Sequence, residues 1–120
     1  MAERILIVDD TKFMRKMLRK ILSVKYNIVD EGENGKEAIE KVKDLEPDLV
    51  TLDVVMPEMD GFEALSKIKE YDEEQKVIMC TSVDQHKKVQ EAIKRGADGY
   101  IVKPFKKDSV LEEIGKVLEN

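Results

Sequence analysis

Three aspartates at two points of the sequence are the residues most suited to carry chemistry. Asp9 and Asp10 directly follow the apolar run Arg4–Val8, and Asp53 ends the apolar run that begins at Leu49. Short apolar runs bounded by turn signals are typical of buried parallel strands. In an open parallel sheet, ligands bind beyond the carboxyl ends of the strands. We therefore expect all three carboxylates at the edge of a sheet where binding sites form.

The other predicted strand ends supply a hydroxyl and an ammonium group. Thr81 follows the apolar run Val77–Cys80, and Lys103 follows the run Tyr100–Val102. The remaining, more polar strand ends near Glu31. If the strands are all parallel, the aspartates, Thr81 and Lys103 converge on one edge of the sheet.

This set of groups is suited to phosphoryl transfer onto a carboxylate. Three acids within about 5 Å of one another repel by about 3 kcal/mol per pair at an effective dielectric constant near 20, so a cation must offset their charge. Mg²⁺ is the natural partner because it binds carboxylates, waters and substrate phosphates. We predict Asp53 as the nucleophile, Lys103 as the group that orients a phosphoryl oxygen, and Thr81 as a hydrogen-bond donor. Each feature alone has a structural explanation, such as Asp10 capping a helix, and only their joint placement favours function.

The elements that must position these residues alternate between strands and helices. Five apolar runs are separated by segments of helical period, which predicts a (βα)₅ chain with a parallel sheet covered on both faces. Asn34 with Glu37, and Asp60 with Glu63, form capping patterns at two helix starts. Spacings of three and four predict that the first helix buries the following apolar residues: Phe13, Met14, Met17, Leu18, Ile21 and Leu22.

The fourth and fifth helices are predicted in the same way. Asp84 is placed to cap a helix that carries Val89, Ala92 and Ile93, and Gly96 is a suitable residue just past its end. The last helix is expected to start near Asp108 and to bury an apolar face: Val110, Leu111, Ile114, Val117 and Leu118.

Length, composition and charge exclude several classes of protein. A chain of 120 residues predicts one domain, 1–120, and no apolar run approaches the roughly 18 residues of a membrane span. The N-terminus lacks a signal-peptide layout, and the single cysteine, Cys80, rules out an internal disulfide and suits a reducing cytoplasm. A net charge of −5 argues against nucleic-acid binding driven by bulk charge. We therefore expect a cytoplasmic protein.

The joint motif resembles that of response-regulator receiver domains, and more narrowly that of single-domain chemotaxis regulators. The resemblance covers essentially the whole chain and rests on five segments: Ile5–Asp10, Leu52-Asp53, Met56–Gly61, Cys80–Ser82 and Gly96–Phe105. It implies a flavodoxin-like sheet with strand order 2-1-3-4-5. That order makes the first and third strands neighbours and so brings the three aspartates together.

The resemblance also implies a role for each site residue. Asp53 would accept a phosphoryl group from a histidine kinase. Mg²⁺ would be held by Asp10, Asp53 and the backbone carbonyl of Val55, with Asp9 acting through water. Lys103 would contact the phosphoryl group, and its bond to Pro104 would be cis.

Two further residues would form the switch that the resemblance implies. Thr81 would move toward the phosphate, and Tyr100 would turn inward into the vacated space. Val55 and Val83 stand at positions that influence water access in this family, and two apolar side chains predict no side-chain assistance to dephosphorylation. Cys80 is interpreted as a core residue and His86, the only histidine, as a residue without a phosphotransfer role.

The function that follows is a signalling switch that catalyses its own phosphorylation and dephosphorylation and is not a free-standing enzyme. Its partners would be a chemotaxis-type histidine kinase, a flagellar or archaellar motor switch protein or adaptor bound through the helix 4–strand 5–helix 5 face, and a phosphatase. We expect a monomer without a DNA-binding effector domain, since the sequence ends at Asn120. The alternative is a phosphorelay intermediate that passes phosphate to another histidine protein. A haloacid-dehalogenase-type phosphohydrolase is disfavoured because Val55 stands where that family has a second Asp.

Overall fold

The structure, a computed structural model, describes residues 2–82 and 87–119. Five strands and five helices alternate over these residues, as predicted. The strands are β1 (Arg4–Val8), β2 (Asn27–Gly32), β3 (Leu49–Asp53), β4 (Lys76–Thr81) and β5 (Gly99–Val102). The helices are α1 (Lys12–Leu22), α2 (Gly35–Leu45), α3 (Gly61–Tyr71), α4 (Lys88–Lys94) and α5 (Lys107–Glu119).

The strands form one parallel sheet in the order β2-β1-β3-β4-β5. This confirms the predicted fold class and strand order, including β2 as an edge strand. From β1 the chain goes to β2, which pairs with one edge of β1, and then crosses back to β3, which pairs with the other edge of β1. The order therefore reverses between β1 and β3, and in sheets of this kind ligands bind at such a reversal, beyond the carboxyl ends of the strands.

Two apolar layers cover the sheet. Alternate residues of β1, β3 and β4 face α2, α3 and α4 in one cluster, represented by Leu6, Leu52 and Met79. The intervening residues face α1 and α5 in a second cluster, represented by Ile7 and Ile78. Because both faces are covered, these strands are apolar at nearly every position, which is why they read as unbroken apolar runs.

The first helix differs from its predicted packing at one position. Phe13 was predicted on the buried face, but its side chain is 64% exposed. The helix instead buries Arg15, Leu18 and Leu22. At 100° per residue, Phe13 lies about 180° from Leu22 around the helix, so it faces solvent, while Arg15 lies within about 20° of Leu22.

The predicted helix caps are formed at α2 and α3. The Asn34 side chain accepts a hydrogen bond from the N–H of Glu37, and Asp60 does the same for Glu63 (both 2.9 Å). Gly96 follows α4 with a φ of +104°, a left-handed conformation that favours glycine. Asp10 is not the cap of α1, since Thr11 occupies that position.

The remaining predictions fall at the fourth helix. Val89 and Ala92 are buried as predicted, whereas Ile93 is 49% exposed on the outer side of the helix. Val83, the predicted cap Asp84 and His86 lie outside the described residues. None of the helices described here is long and apolar enough to cross a membrane.

Candidate functional site

The three aspartates meet at the carboxyl edge of the sheet. β1 and β3 pair in parallel with Val8 opposite Leu52, so the residues that follow them, Asp9 and Asp53, come side by side. Carboxylate oxygens of Asp9, Asp10 and Asp53 lie within 4.8 Å of one another. Asp9 and Asp53 are buried, and Asp10 is exposed. The predicted convergence of the three acids is confirmed.

Lys103 is the cation that faces this cluster. Its ammonium nitrogen lies 2.8 Å from Asp9 Oδ2 and 3.4 Å from Asp53 Oδ1. The Lys103 N–H donates to the Thr81 carbonyl (2.7 Å), and the Lys103-Pro104 bond is cis, as the resemblance implied. Lys103 is therefore held at the same edge of the sheet as the acids, although it binds Asp9 more closely than Asp53.

The charges of the cluster shift two pKa values. Burial, together with the negative charge of Asp9, raises the pKa of Asp53 from 3.8 to about 6, and Lys103 only partly counteracts this. Burial alone would lower the pKa of the Lys103 ammonium, but the hydrogen bond to Asp9 and the charge of Asp53 raise it overall. One ammonium group thus leaves the negative charge of the three acids incompletely neutralised.

Thr81 ends β4 beside the acids and is completely buried. The preceding residue, Cys80, pairs with Asp53 across the β3–β4 ladder. Among the described residues, the Thr81 hydroxyl has no hydrogen-bond partner. A buried hydroxyl without a partner costs stability and calls for an explanation. Thr51 in β3 shares this property, so it is the location of Thr81 at the edge of the sheet that carries the acids which points to function. Its position fits the donor that was predicted for a phosphoryl oxygen.

The loop after β3 is held close to Asp53. The Val54 N–H donates to the Cys80 carbonyl (3.2 Å), and the Gly61 N–H donates to the Val54 carbonyl (2.8 Å). A Cβ on Gly61 would collide with the backbone carbonyl of Asp53, so only glycine permits this approach. Val55 follows with an exposed side chain. Its carbonyl as a Mg²⁺ ligand stays a prediction.

Tyr100 lies on the edge strand β5 and is half-buried. Its side chain packs against the apolar cluster beneath α3 and α4, and its N–H donates to Glu113 Oε2 of α5 (3.1 Å). This location next to α4 and α5 is compatible with the predicted switch, whose movement stays a prediction.

Glu31, near the end of β2, does not join the site. Glu31 Oε1 accepts from Arg15 Nε at 2.9 Å, and Glu31 Oε2 accepts from Arg19 Nε at 2.6 Å. Burial alone would raise the pKa of Glu31, but the hydrogen bonds from Arg19 and Arg15 lower it. Glu31 is thus a structural ion-pair partner.

Sequence reasoning missed Arg15, which also donates to the backbone carbonyl of Asp9 at 2.6 Å. A signal was present. Arg15 stands three residues before Leu18 and seven before Leu22, on the spacing of the buried face of the helix.

The carboxylate cluster suits a hard divalent cation. Its donors are all oxygen atoms, two of the three acids are buried, and the third is open to water, which matches the preference of Mg²⁺ for a few carboxylates and retained waters. Asp9, Asp10 and Asp53 are therefore the residues that could hold such an ion.

The fold and the site together define a doubly wound α/β protein with an acidic ligand site at its topological switch point. The chain belongs to the response regulator receiver domain family, whose model matches residues 5–115.

Among its relatives, the "Chemotaxis protein CheY" of Halobacterium salinarum is 54% identical over 98% of both chains. The protein of the same name from Bacillus subtilis is 52% identical over 98% of this chain and 99% of its own. The solved "CheX-CheY-BeF3-Mg+2 complex from Borrelia burgdorferi" contains a chain with a TM-score of 0.91 and 38% identity, covering 96% of this chain and 88% of that one. The receiver fold predicted from the sequence is thereby confirmed.

The raised pKa of Asp53 predicts a gain in stability when its charge is removed. The folded protein holds the proton of Asp53 more tightly than the unfolded chain does, so stability falls as pH rises from about 4 to about 6. In EDTA at pH 7.5, we expect Asp53→Asn to increase the free energy of unfolding by about 1 to 2 kcal/mol. The gain is no larger because solvent near the exposed Asp10 weakens the repulsion between the acids.

This difference should shrink as the pH falls and largely vanish near pH 3, where Asp53 is mostly protonated in both the folded and the unfolded state. Urea unfolding at the two pH values measures it. Asp48→Asn is the matched control because it removes an acid from the opposite end of β3 and should bring no gain. An Asp53→Asn protein no more stable than wild type at pH 7.5 would contradict the assigned electrostatics.

Proposed function

We propose that this protein is a chemotaxis response regulator that accepts a phosphoryl group on Asp53 from a phosphohistidine of a histidine kinase. The observation that carries this proposal is the placement of Asp53. It is a buried carboxylate at the end of the central strand, beside two further acids and an ammonium group. The names of the relatives with about half of their residues identical support the chemotaxis role.

In the proposed step, an Asp53 carboxylate oxygen attacks the phosphorus of the donor. A new P–O bond forms the acyl phosphate, the P–N bond of the phosphohistidine breaks, and its electron pair stays on the imidazole nitrogen. The nucleophile must be ionised, and a pKa of about 6 leaves most of Asp53 ionised at neutral pH. Burial fixes the direction of the carboxylate, so that positioning contributes much of the catalysis.

Mg²⁺ would be held by Asp10, Asp53 and the carbonyl of Val55, with Asp9 acting through water. Bound there, the ion supplies positive charge that offsets the repulsion between the acids and an incoming phosphoryl group. The Borrelia burgdorferi complex, which pairs CheY with BeF3 and Mg²⁺, supports this assignment. Asp10 is the exposed member of the cluster and leaves the site open to water and to the donor.

Lys103 and Thr81 would hold the transferred group. Lys103 Nζ lies 3.4 Å from Asp53 Oδ1, so a phosphoryl oxygen on Asp53 comes within its reach. The buried Thr81 hydroxyl, without a partner in the described chain, gains one when it donates to another phosphoryl oxygen.

The output would pass through Thr81 and Tyr100 to a surface formed by α4, β5 and α5, here named the output face. As Thr81 moves toward the phosphate, Tyr100 turns inward, and the output face changes shape. This face exposes two apolar side chains, Ile93 at 49% and Val102 at 37%. Val102 also lines a groove of about 540 Å³ between β5 and α5. A motor switch protein or an adaptor would bind here in the phosphorylated state.

Loss of the phosphoryl group would rely on water and on a phosphatase. The Val55 side chain is exposed beside the site but is apolar, so it cannot orient an attacking water. We propose that the chain catalyses its own Mg²⁺-dependent phosphorylation and dephosphorylation without acting as a free-standing enzyme.

Incubation with acetyl phosphate and Mg²⁺ tests the nucleophile. We expect wild type to acquire one acid-stable, base-labile phosphoryl group, detected by mass spectrometry, and Asp53→Asn to acquire none, because its amide cannot form the acyl phosphate. Asp48→Asn, which lacks an acid at the opposite end of the same strand, should be phosphorylated like wild type. A labile phosphoryl group on Asp53→Asn, or none on wild type, would show that the nucleophile or the mechanism is wrong.

A capture experiment separates the motor role from the relay role. We expect wild type bound to beryllium fluoride and Mg²⁺ to capture a motor or adaptor protein, and Ile93→Asp to lose this capture because it places a charge on the output face. Val24→Asp is the control, since Val24 is 65% exposed after α1, away from that face. Transfer of the phosphoryl group to a second histidine protein, without such capture, would favour the phosphorelay alternative.

A further inference from the structure

Arg15 is a buried charge that the proposed reaction does not use. Its side chain is only 8% exposed, within a helix face that otherwise buries Leu18 and Leu22. Burial of a guanidinium group is costly unless its donors are paired, so its retention here calls for a specific set of partners.

Those partners come from two segments, the residue that follows β1 and the end of β2. Arg15 Nη1 donates to the backbone carbonyl of Asp9 (2.6 Å), Nε to Glu31 Oε1 (2.9 Å) and Nη2 to Glu33 Oε1 (3.4 Å). Arg19 holds the other oxygen of Glu31. Only the planar guanidinium group of an arginine, with its five N–H donors, can reach acceptors in these different directions at once.

The contact with Asp9 completes the fixation of that residue. Its N–H donates to the Gly32 carbonyl (3.0 Å), and its carboxylate oxygens accept from the Thr11 N–H and from Lys103 (both 2.8 Å). The carbonyl is the last polar group of Asp9, and Arg15 holds it.

The carbonyl of Asp9 and the N–H of Asp10 belong to one planar peptide unit. A hydrogen bond to that carbonyl therefore fixes the rotation of the whole unit and the direction in which Asp10 leaves it. Without the bond, rotation of this unit would let the exposed Asp10 carboxylate turn away from Asp9 and Asp53, as their repulsion favours.

We infer that Arg15 is a positioning residue of the carboxylate site. With its charge balanced by Glu31, it orients the Asp9–Asp10 peptide so that the three carboxylates stay close enough to bind one divalent cation. This inference rests on the proposed function, in which that cation is Mg²⁺. Groups that orient the ligands of a metal typically change its affinity 10- to 100-fold when they are removed.

Calorimetric titration with MgCl₂ tests the inference on the intact protein. We expect Arg15→Met to raise the Mg²⁺ dissociation constant by about 10-fold or more. The sign of the change is informative, because removal of a positive charge near three acids would by itself tighten Mg²⁺ binding. Arg15→Lys can reach the Asp9 carbonyl but not Glu31 as well, and its dissociation constant should fall between those of wild type and Arg15→Met.

Two arginines serve as matched controls. Arg19→Met removes the same charge from the same helix and from the same partner, Glu31, without touching Asp9. Arg4→Met removes a guanidinium group that donates to the Leu45 and Glu46 carbonyls (2.7 and 3.1 Å) from a residue at the start of β1, away from the site. Both should keep the wild-type Mg²⁺ affinity within about twofold, whatever stability they lose in urea.

The outcomes separate this inference from the proposed function. If wild type binds no Mg²⁺ and gains no phosphoryl group from acetyl phosphate, the proposed function is wrong. If wild type does both and Arg15→Met binds Mg²⁺ as tightly as Arg19→Met, Arg15 only stabilises the fold and the inference is overturned. Should Arg15→Met fail to fold, Arg15→Lys decides the matter, and a wild-type dissociation constant would overturn the inference.

Discussion

Mutual repulsion between three carboxylates is the constraint on which the rest of this structure depends. Their oxygens lie within 4.8 Å of one another, and one ammonium group, that of Lys103, faces them at 2.8 and 3.4 Å. Such a cluster persists only if the backbone that carries it cannot relax. The raised pKa of Asp53 reflects burial and the repulsion that Lys103 does not offset. The same excess of negative charge allows the site to bind a cation and to carry out the chemistry that a cation supports.

The fold supplies that rigidity from several directions. Asp53 ends a strand that is paired on both sides, and Asp9 follows the strand beside it. Gly61 lets α3 begin against the Asp53 carbonyl, while Arg15 fixes the carbonyl of Asp9 from α1. Each of these contacts therefore fixes the backbone that carries an acid, and the carboxylates are held together at the carboxyl edge of the sheet.

The parts of this arrangement that follow from local pattern could be predicted from the sequence. Strands that are covered on both faces form apolar runs, so the sequence showed that Asp9, Asp53 and Lys103 stand at strand ends. The caps Asn34 and Asp60 were marked by a glutamate three positions later in each case. The strand order came from resemblance, because alternation alone does not determine which strands pair.

What could not be predicted depends on three-dimensional neighbours. Apolar spacing placed Phe13 inside, but the direction of a helix face is set by the sheet beneath it. The spacing of Arg15 marked a buried position, but its partners, Glu31 and the Asp9 carbonyl, come from other segments and leave no such mark in the sequence. The register shift between β1 and β2 at Ile5 and Leu6 likewise leaves no mark in the sequence.

The carboxyl pKa of Asp53, measured by ¹³C NMR titration with and without Mg²⁺, tests the central claim most directly. We predict a value near 6 in EDTA and a clear decrease when Mg²⁺ is added, because the cation stabilises the ionised carboxylate. Asp48, at the other end of β3, should not respond to Mg²⁺. An ordinary value near 3.8 in EDTA, or a value that Mg²⁺ leaves unchanged, would contradict the account.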